Sequence, residues 1–171
     1  MSDGTAPGRR TRAALPDDAG ALFSLSVAAI RRAAADHYTS AQLEAWAATR
    51  SVDGHRRMIE RTSAFVAVDE HGDVAGFATV ALQPVAGLVA GELDQLFVAP
   101  EHAGRGAARL LVAEVEAVAL AAGLIRLVTH ASWRAVPVFE RLGFTQVEVE
   151  TVQVGGEVLT RALMQKPLRP A

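Results

Sequence analysis

A chain of 171 residues, 50% hydrophobic and 21% charged, has the balance of one globular domain and little room for a second core. Its formal net charge of -2 offers no field to hold nucleic acid or an anionic membrane. Cysteine is absent, which excludes disulfides, thiolate metal sites and a cysteine nucleophile, and suits a reducing, cytoplasmic setting.

Met1 to Arg10 is small and polar and is expected to be loose, leaving residues 11–168 as the single domain. Arg9-Arg10 is followed by Arg12 and Pro16-Asp17-Asp18, where an export signal needs an apolar stretch. No apolar run reaches the length of a membrane span. Thr11 to Leu15 reads as a short strand. A helix capped by Asp17 or Asp18 then runs to Arg32, with Leu22, Leu25, Ala29 and Ile30 on its apolar face. Thr39-Ser40-Ala41-Gln42 is a capping box opening a second helix through Trp46, and Val52 to Arg61 forms a third.

The period then changes. Ala64 to Val68 and Val74 to Leu82 are hairpin strands around His71-Gly72-Asp73, and Gly91 to Val98 is a further strand. A glycine turn leads into a helix from Gly106 to Ala122, with Leu111, Val115 and Val118 in its stripe and Gly123 ending it. The apolar run Leu124 to Thr129 reads as a strand buried on both faces. Ser132 is placed to cap a short helix to Leu142, and Gln146 to Val154 pairs with Val158 to Met164 around Gly155-Gly156. The sum is a mixed α/β (α+β) domain, antiparallel at its start and βαβ-like at its centre. The five histidines are scattered with no i, i+4 pair, so no metal site is expected.

The stretch Leu96-Phe97-Val98-Ala99-Pro100-Glu101-His102-Ala103-Gly104-Arg105-Gly106-Ala107-Ala108-Arg109 carries the chemistry. A strand enters a turn with two glycines, and the turn opens a helix. The first N–H groups of a helix lack internal partners and lie at the positive end of its dipole, which suits them to phosphate. Arg105 and Arg109 add charge there. A P-loop needs four residues between its glycines and then Lys-Ser/Thr, and a dinucleotide fold needs a third glycine where Arg109 stands. Neither pattern is met.

The segment Leu93 to Leu111 resembles motif A of the GNAT (GCN5-related) N-acetyltransferases. In that family Gln/Arg-x-x-Gly-x-Gly/Ala receives the coenzyme A pyrophosphate on backbone N–H groups. The pattern falls on Ala103, Gly104, Arg105, Gly106, Ala107 and Ala108, with Ala103 in place of the usual Gln or Arg. Ser132-Trp133-Arg134-Ala135-Val136-Pro137-Val138-Phe139-Glu140-Arg141-Leu142-Gly143-Phe144 is similar to the family's Asn-x-x-Ala-x-x-Phe-Tyr-Glu-x-x-Gly-Phe, with Ser132 at the Asn and Phe139 at the Tyr. Tyr38 to Trp46 looks like a Tyr-Ser-x-Glu-Gln-x-x-Ala-Trp stretch of bacterial members, and the resemblance extends from Thr11 to Leu168.

The resemblance implies a mixed central sheet whose strands ending at Val98 and Thr129 run parallel and splay apart, with flanking helices and a C-terminal hairpin. It implies acetyl-CoA as co-substrate, a small-molecule amine as acceptor and direct attack on the thioester. Leu96, Phe97 and Val98 would pair with the pantetheine arm, and Ser132, Ala135 and Phe139 would line the same site. Glu92 and Asp94 are the candidate bases, two apart and on one strand face unless a bulge intervenes, with His130 behind them. His37 and Tyr38 are candidates for the acceptor pocket, while Trp46, Phe23 and Phe144 read as core. The family's Tyr usually protonates the departing thiolate, and Phe139 cannot. The resemblance also admits a coenzyme A-binding regulatory module without turnover, or another acyl-CoA or a hydroxyl acceptor; it leaves monomer and homodimer both open.

Overall fold

Four antiparallel strands, β1 (Arg10–Ala13), β2 (Ser63–Val68), β3 (Val74–Val80) and β4 (Leu93–Val98), form one sheet in sequence order. Three others form a second sheet in the order β5 (Arg126–Ser132), β7 (Glu157–Pro167), β6 (Thr145–Val154). The computed structural model describes residues 10–169, so most of the expected loose N-terminus lies outside them; Arg10 itself belongs to β1.

Helices α1 (Ala19–Ala33), α2 (Ser40–Ala47) and α3 (Val52–Arg61) separate β1 from β2. Leu22, Leu25 and Ile30 of α1 are buried, as the helical period requires. The capping box of α2 forms: the Thr39 hydroxyl accepts from Gln42 N at 3.2 Å, and the Gln42 amide oxygen accepts from Thr39 N at 2.9 Å. Asp18 stands at the start of α1 without capping it, because its carboxylate is already taken by Arg12 and by the Leu15 N–H.

Helix α4 (Ala107–Ala121) covers one face of the first sheet, and α1 and α3 cover the other. Ala67, Ala78 and Val80 join the core built with Leu111, Val112 and Val115 of α4. Val66, Val68 and Phe77 join the core built with Leu22, Leu25 and Ile59. Burial on both faces therefore belongs to β2 and β3.

It does not belong to β5, where it was expected. In β5 Leu127, Thr129 and Ala131 are buried while Val128, His130 and Ser132 are partly open. One face of β5 meets α4 and the hairpin; the other borders clefts, so the apolar run could not reveal the alternation. Ser132 closes β5, its carbonyl accepting from Ala135 N, and α5 (Val136–Arg141) starts at Val136 without a side-chain cap. Ser132 is thus not the expected cap.

Candidate active site

Among the described residues one short parallel bridge joins the two sheets. Glu92 pairs with Val128, and the Val128 N–H donates to the Gly91 carbonyl at 3.0 Å. Gly91 has φ +85°, and a Cβ there would lie 2.6 Å from the Arg126 carbonyl oxygen, so only glycine lets the strands approach this closely. One step further the Thr129 hydroxyl donates to the Leu93 carbonyl at 2.8 Å, buried. Beyond this latch, among the described residues, β4 pairs only with β3 and β5 only with β7, so the two strands face each other across a wedge.

Two cavities, of about 690 and 430 Å³, open on opposite parts of the wedge and share Trp46, Leu96, Phe97, Ser132 and Ala135 as walls. The two cavities thus lie back to back across the gap, divided by shared walls.

The smaller cavity ends on the glycine turn. Ala103, Gly104, Gly106, Ala107, Ala108 and Arg109 line it, together with Val98. Gly104 and Gly106 adopt φ +71° and +86°, and a Cβ on either would meet nothing within 4 Å. The turn is an open cradle, and its glycines are required by backbone conformation rather than by packing. Gly106 is the N-cap of α4, and its carbonyl accepts from Leu110 N. The N–H groups of Ala107, Ala108 and Arg109 thus belong to the first turn, which has no internal acceptors. Arg105 is exposed and lies outside the lining. Arg134 and Arg141 line this cleft, and the sequence analysis did not assign them to it. Three arginines beside a helix N-terminus form a site chemically fitted to a polyanion such as the phosphates of coenzyme A.

The larger cavity carries the acids. Glu92 and Asp94 both line it, with Arg50, His130 and Arg161. A bulge does intervene: Thr79 pairs with Gln95 and Val80 with Leu93, leaving Asp94 as the extra residue. Glu92 is 8% exposed, and Asp94 is open to solvent. The Glu92 carboxylate accepts from Val89 N at 3.0 Å and stands 3.6 Å from His130 Nε2. His130 Nδ1 is bonded to Glu150, which also accepts from Arg161 Nε at 2.7 Å. Burial pushes the Glu150 carboxyl up, but these two partners outweigh it and hold it below the ordinary range.

Tyr38 lines this chamber, whereas His37 is exposed on the surface. The Tyr38 hydroxyl donates to the Thr160 carbonyl at 2.8 Å and accepts from Trp133 N at 3.0 Å, tying the α1–α2 loop to β7 and to the segment after β5. Phe139 lines the larger cavity, 3% exposed and 5.0 Å from the Phe144 ring. Phe144 is core as expected, and Phe23 packs edge-on against His55. Trp46, expected in the core, is half-buried and walls both cavities.

The sequence model of the acetyltransferase (GNAT) domain matches residues 34–163. An uncharacterised N-acetyltransferase of Escherichia coli strain K12, YafP, is 29% identical over 154 residues, which cover 88% of this chain and 90% of YafP. The crystal structure of a GCN5-related N-acetyltransferase from Rhodopseudomonas palustris superposes with a TM-score of 0.85 at 30% identity, covering 94% of this chain and 96% of that one. YncA of Salmonella typhimurium, solved with acetyl-CoA, shares the fold at 22% identity and a TM-score of 0.70, covering 96% of each chain. The wedge, the glycine cradle and these matches agree, and the chain belongs to the GNAT acetyltransferase family of acyltransferases.

Proposed function

We propose that this enzyme transfers the acetyl group of acetyl-CoA to the amine of a small acceptor by direct attack on the thioester. The observation that carries the reading is that a cationic glycine cradle and a chamber holding a buried carboxylate share walls at the gap between β4 and β5. That YncA holds acetyl-CoA on the same fold supports it.

In this reading the first-turn N–H groups of α4, with Arg109, Arg134 and Arg141, bind the phosphates. The pantetheine arm lies along the open edge of β4 at Leu96, Phe97 and Val98, adding itself to the strand, with Ser132 and Ala135 on the opposite wall. The thioester then reaches the junction beside Phe139.

The acceptor must lose a proton before it attacks. An amine of pKa near 10 is neutral in only about one part in a thousand at pH 7, a deficit of about 4 kcal/mol. Glu92 is better placed than Asp94 to take that proton, because it is fixed by the Val89 N–H and backed by His130, while Asp94 is exposed. The amine nitrogen adds to the carbonyl carbon, and the carbon–sulfur bond breaks as the tetrahedral intermediate collapses. Phe139 has no proton to give, so the thiolate departs to water; a thiol of pKa near 8.5 is a fair leaving group near neutrality.

Incubation with acetyl-CoA and a pooled amine panel, following thiol release and acetylated product, tests the proposal. Thiol release that depends on an amine supports it. Absence of any measurable affinity for acetyl-CoA or coenzyme A overturns it.

A further inference from the structure

Arg50 follows α2, its N–H donating to the Ala47 carbonyl at 3.0 Å, and its side chain enters the wall of the larger cavity. The guanidinium carbon sits 5.6 Å over the Phe97 ring, which holds the group by cation–π attraction. Its Nε is buried and has no hydrogen-bond partner. Among the described residues no carboxylate comes within ion-pair distance of Arg50, whereas Arg161 in the same chamber is bonded to Glu150. Burial weakens the hold of Arg50 on its proton, and Asp94 offsets this only at a distance.

A half-buried guanidinium with a buried, unpaired Nε and no ion pair is costly unless an anion completes it. The unsatisfied atom is informative: Nε and a terminal nitrogen form the edge on which guanidinium grips a carboxylate with two parallel bonds. In the lining of the same cavity, the Gln95 side-chain oxygen is buried and lacks a donor. One unsatisfied donor and one unsatisfied acceptor call for a ligand that carries both an anion and N–H groups.

We propose that Arg50 anchors a carboxylate of the acceptor, so that the substrate class is a compact amine of amino-acid type. The proposal rests on the acetyl-transfer reading above and adds to it the identity of the second charged group. The amino end of such a zwitterion would face Glu92, and its carboxylate would sit on Arg50.

The test uses the whole chain, saturated with coenzyme A, and a panel of α- and ω-amino acids, each paired with its carboxamide. Binding is read by thermal shift and calorimetry, and turnover with acetyl-CoA by thiol release. At least one amino acid should bind and react with a kcat/KM about 10- to 100-fold above that of its carboxamide. Arg50→Met should erase that difference by raising the KM of the acid alone, and Arg50→Lys should restore part of it. Acetyl-CoA affinity and melting temperature, measured in parallel, report whether each variant is folded. The proposal is overturned if no amino acid binds, if carboxamides are preferred, or if Arg50→Met keeps the same discrimination. Loss of acetyl-CoA binding by the parent protein would instead overturn the acetyl-transfer reading.

Discussion

Glu92 Oε1 lies 3.6 Å from His130 Nε2, and the far nitrogen of that ring is bonded to Glu150. The three side chains come from the lead-in to β4, from β5 and from β6, so they meet only because the sheets join at Glu92 and Val128. A carboxylate at the end of such a chain can accept a proton from the acceptor and share its charge with the ring. Glu92→Gln keeps the shape and the bond from Val89 N but removes the basic group. It should lower kcat by about 10²- to 10⁴-fold with little change in acetyl-CoA affinity. Glu150→Gln loosens the ring without touching substrate, so a smaller fall in kcat with a changed pH–rate profile is expected. An unchanged kcat in Glu92→Gln would pass the role of base to Asp94.

The cradle makes a separate prediction. Gly106 has φ +86° in open space, so Gly106→Ala meets no protein atom and reports only backbone strain and crowding of the ligand. The left-handed conformation costs a non-glycine residue roughly 1–2 kcal/mol. Calorimetry should show an acetyl-CoA Kd raised about tenfold or more. A variant that merely melted earlier and bound as tightly would argue against phosphate contact at this turn.

Local pattern carried the elements and the glycine turn, because both are written in contiguous residues: the Thr39–Gln42 box, the helical stripe of α4 and the Gly104–Gly106 turn. Long-range placement was not legible. Arg50 and Gln95 line one cavity although 45 positions apart, and nothing in the residues around Arg50 marks it as a cavity residue. Arg134 sits in the turn before α5 and Arg141 at its last residue, so their meeting in one cleft depends on how that turn folds and no helical spacing announces it. The apolar run before His130 hid the alternation of β5, since Val128 is as hydrophobic on a cleft wall as in a core. The bulge at Asp94 depends on its partner strand and leaves no mark in β4 alone.

Gly91 is where the wedge begins, and substitution there should be more damaging than in the cradle. A Cβ would lie 2.6 Å from the Arg126 carbonyl oxygen, a backbone atom that cannot step aside without moving β5. With the strain of φ +85° added, Gly91→Ala should destabilise the protein by about 2–4 kcal/mol, read from denaturant midpoints. The latch from Thr129 to Leu93 would be pulled apart with it, so turnover should fall further than the loss of folded protein explains.

Tyr38 ties the helical side of the larger chamber to the second sheet. Tyr38→Phe leaves the ring against Trp46, 5.9 Å away, but strands the Thr160 carbonyl and the Trp133 N–H. A loss of about 1–3 kcal/mol in stability is expected. Because its proton is committed to Thr160, Tyr38 is not positioned to give one to the thiolate, so kcat should change less than KM for the acceptor.

His55 sets the acid side of the stability curve. The ring is 3% exposed between α1 and α3, with Nδ1 2.8 Å from the Ser51 carbonyl and Nε2 3.3 Å from the Ser26 hydroxyl. Burial lowers its pKa from the ordinary 6.5; the Ser51 carbonyl partly opposes that, and the charge on Arg50 reinforces it. The unfolded chain therefore binds a proton at a pH where the folded protein still refuses it. Above 6.5 neither state is protonated and the residue contributes no pH dependence; as pH falls from 6.5 toward the lower folded value, stability is lost progressively. Melting temperature should drop as pH falls below 6.5, and His55→Gln should flatten that part of the curve while lowering the plateau. The same slope in parent and variant would place the acid sensitivity elsewhere.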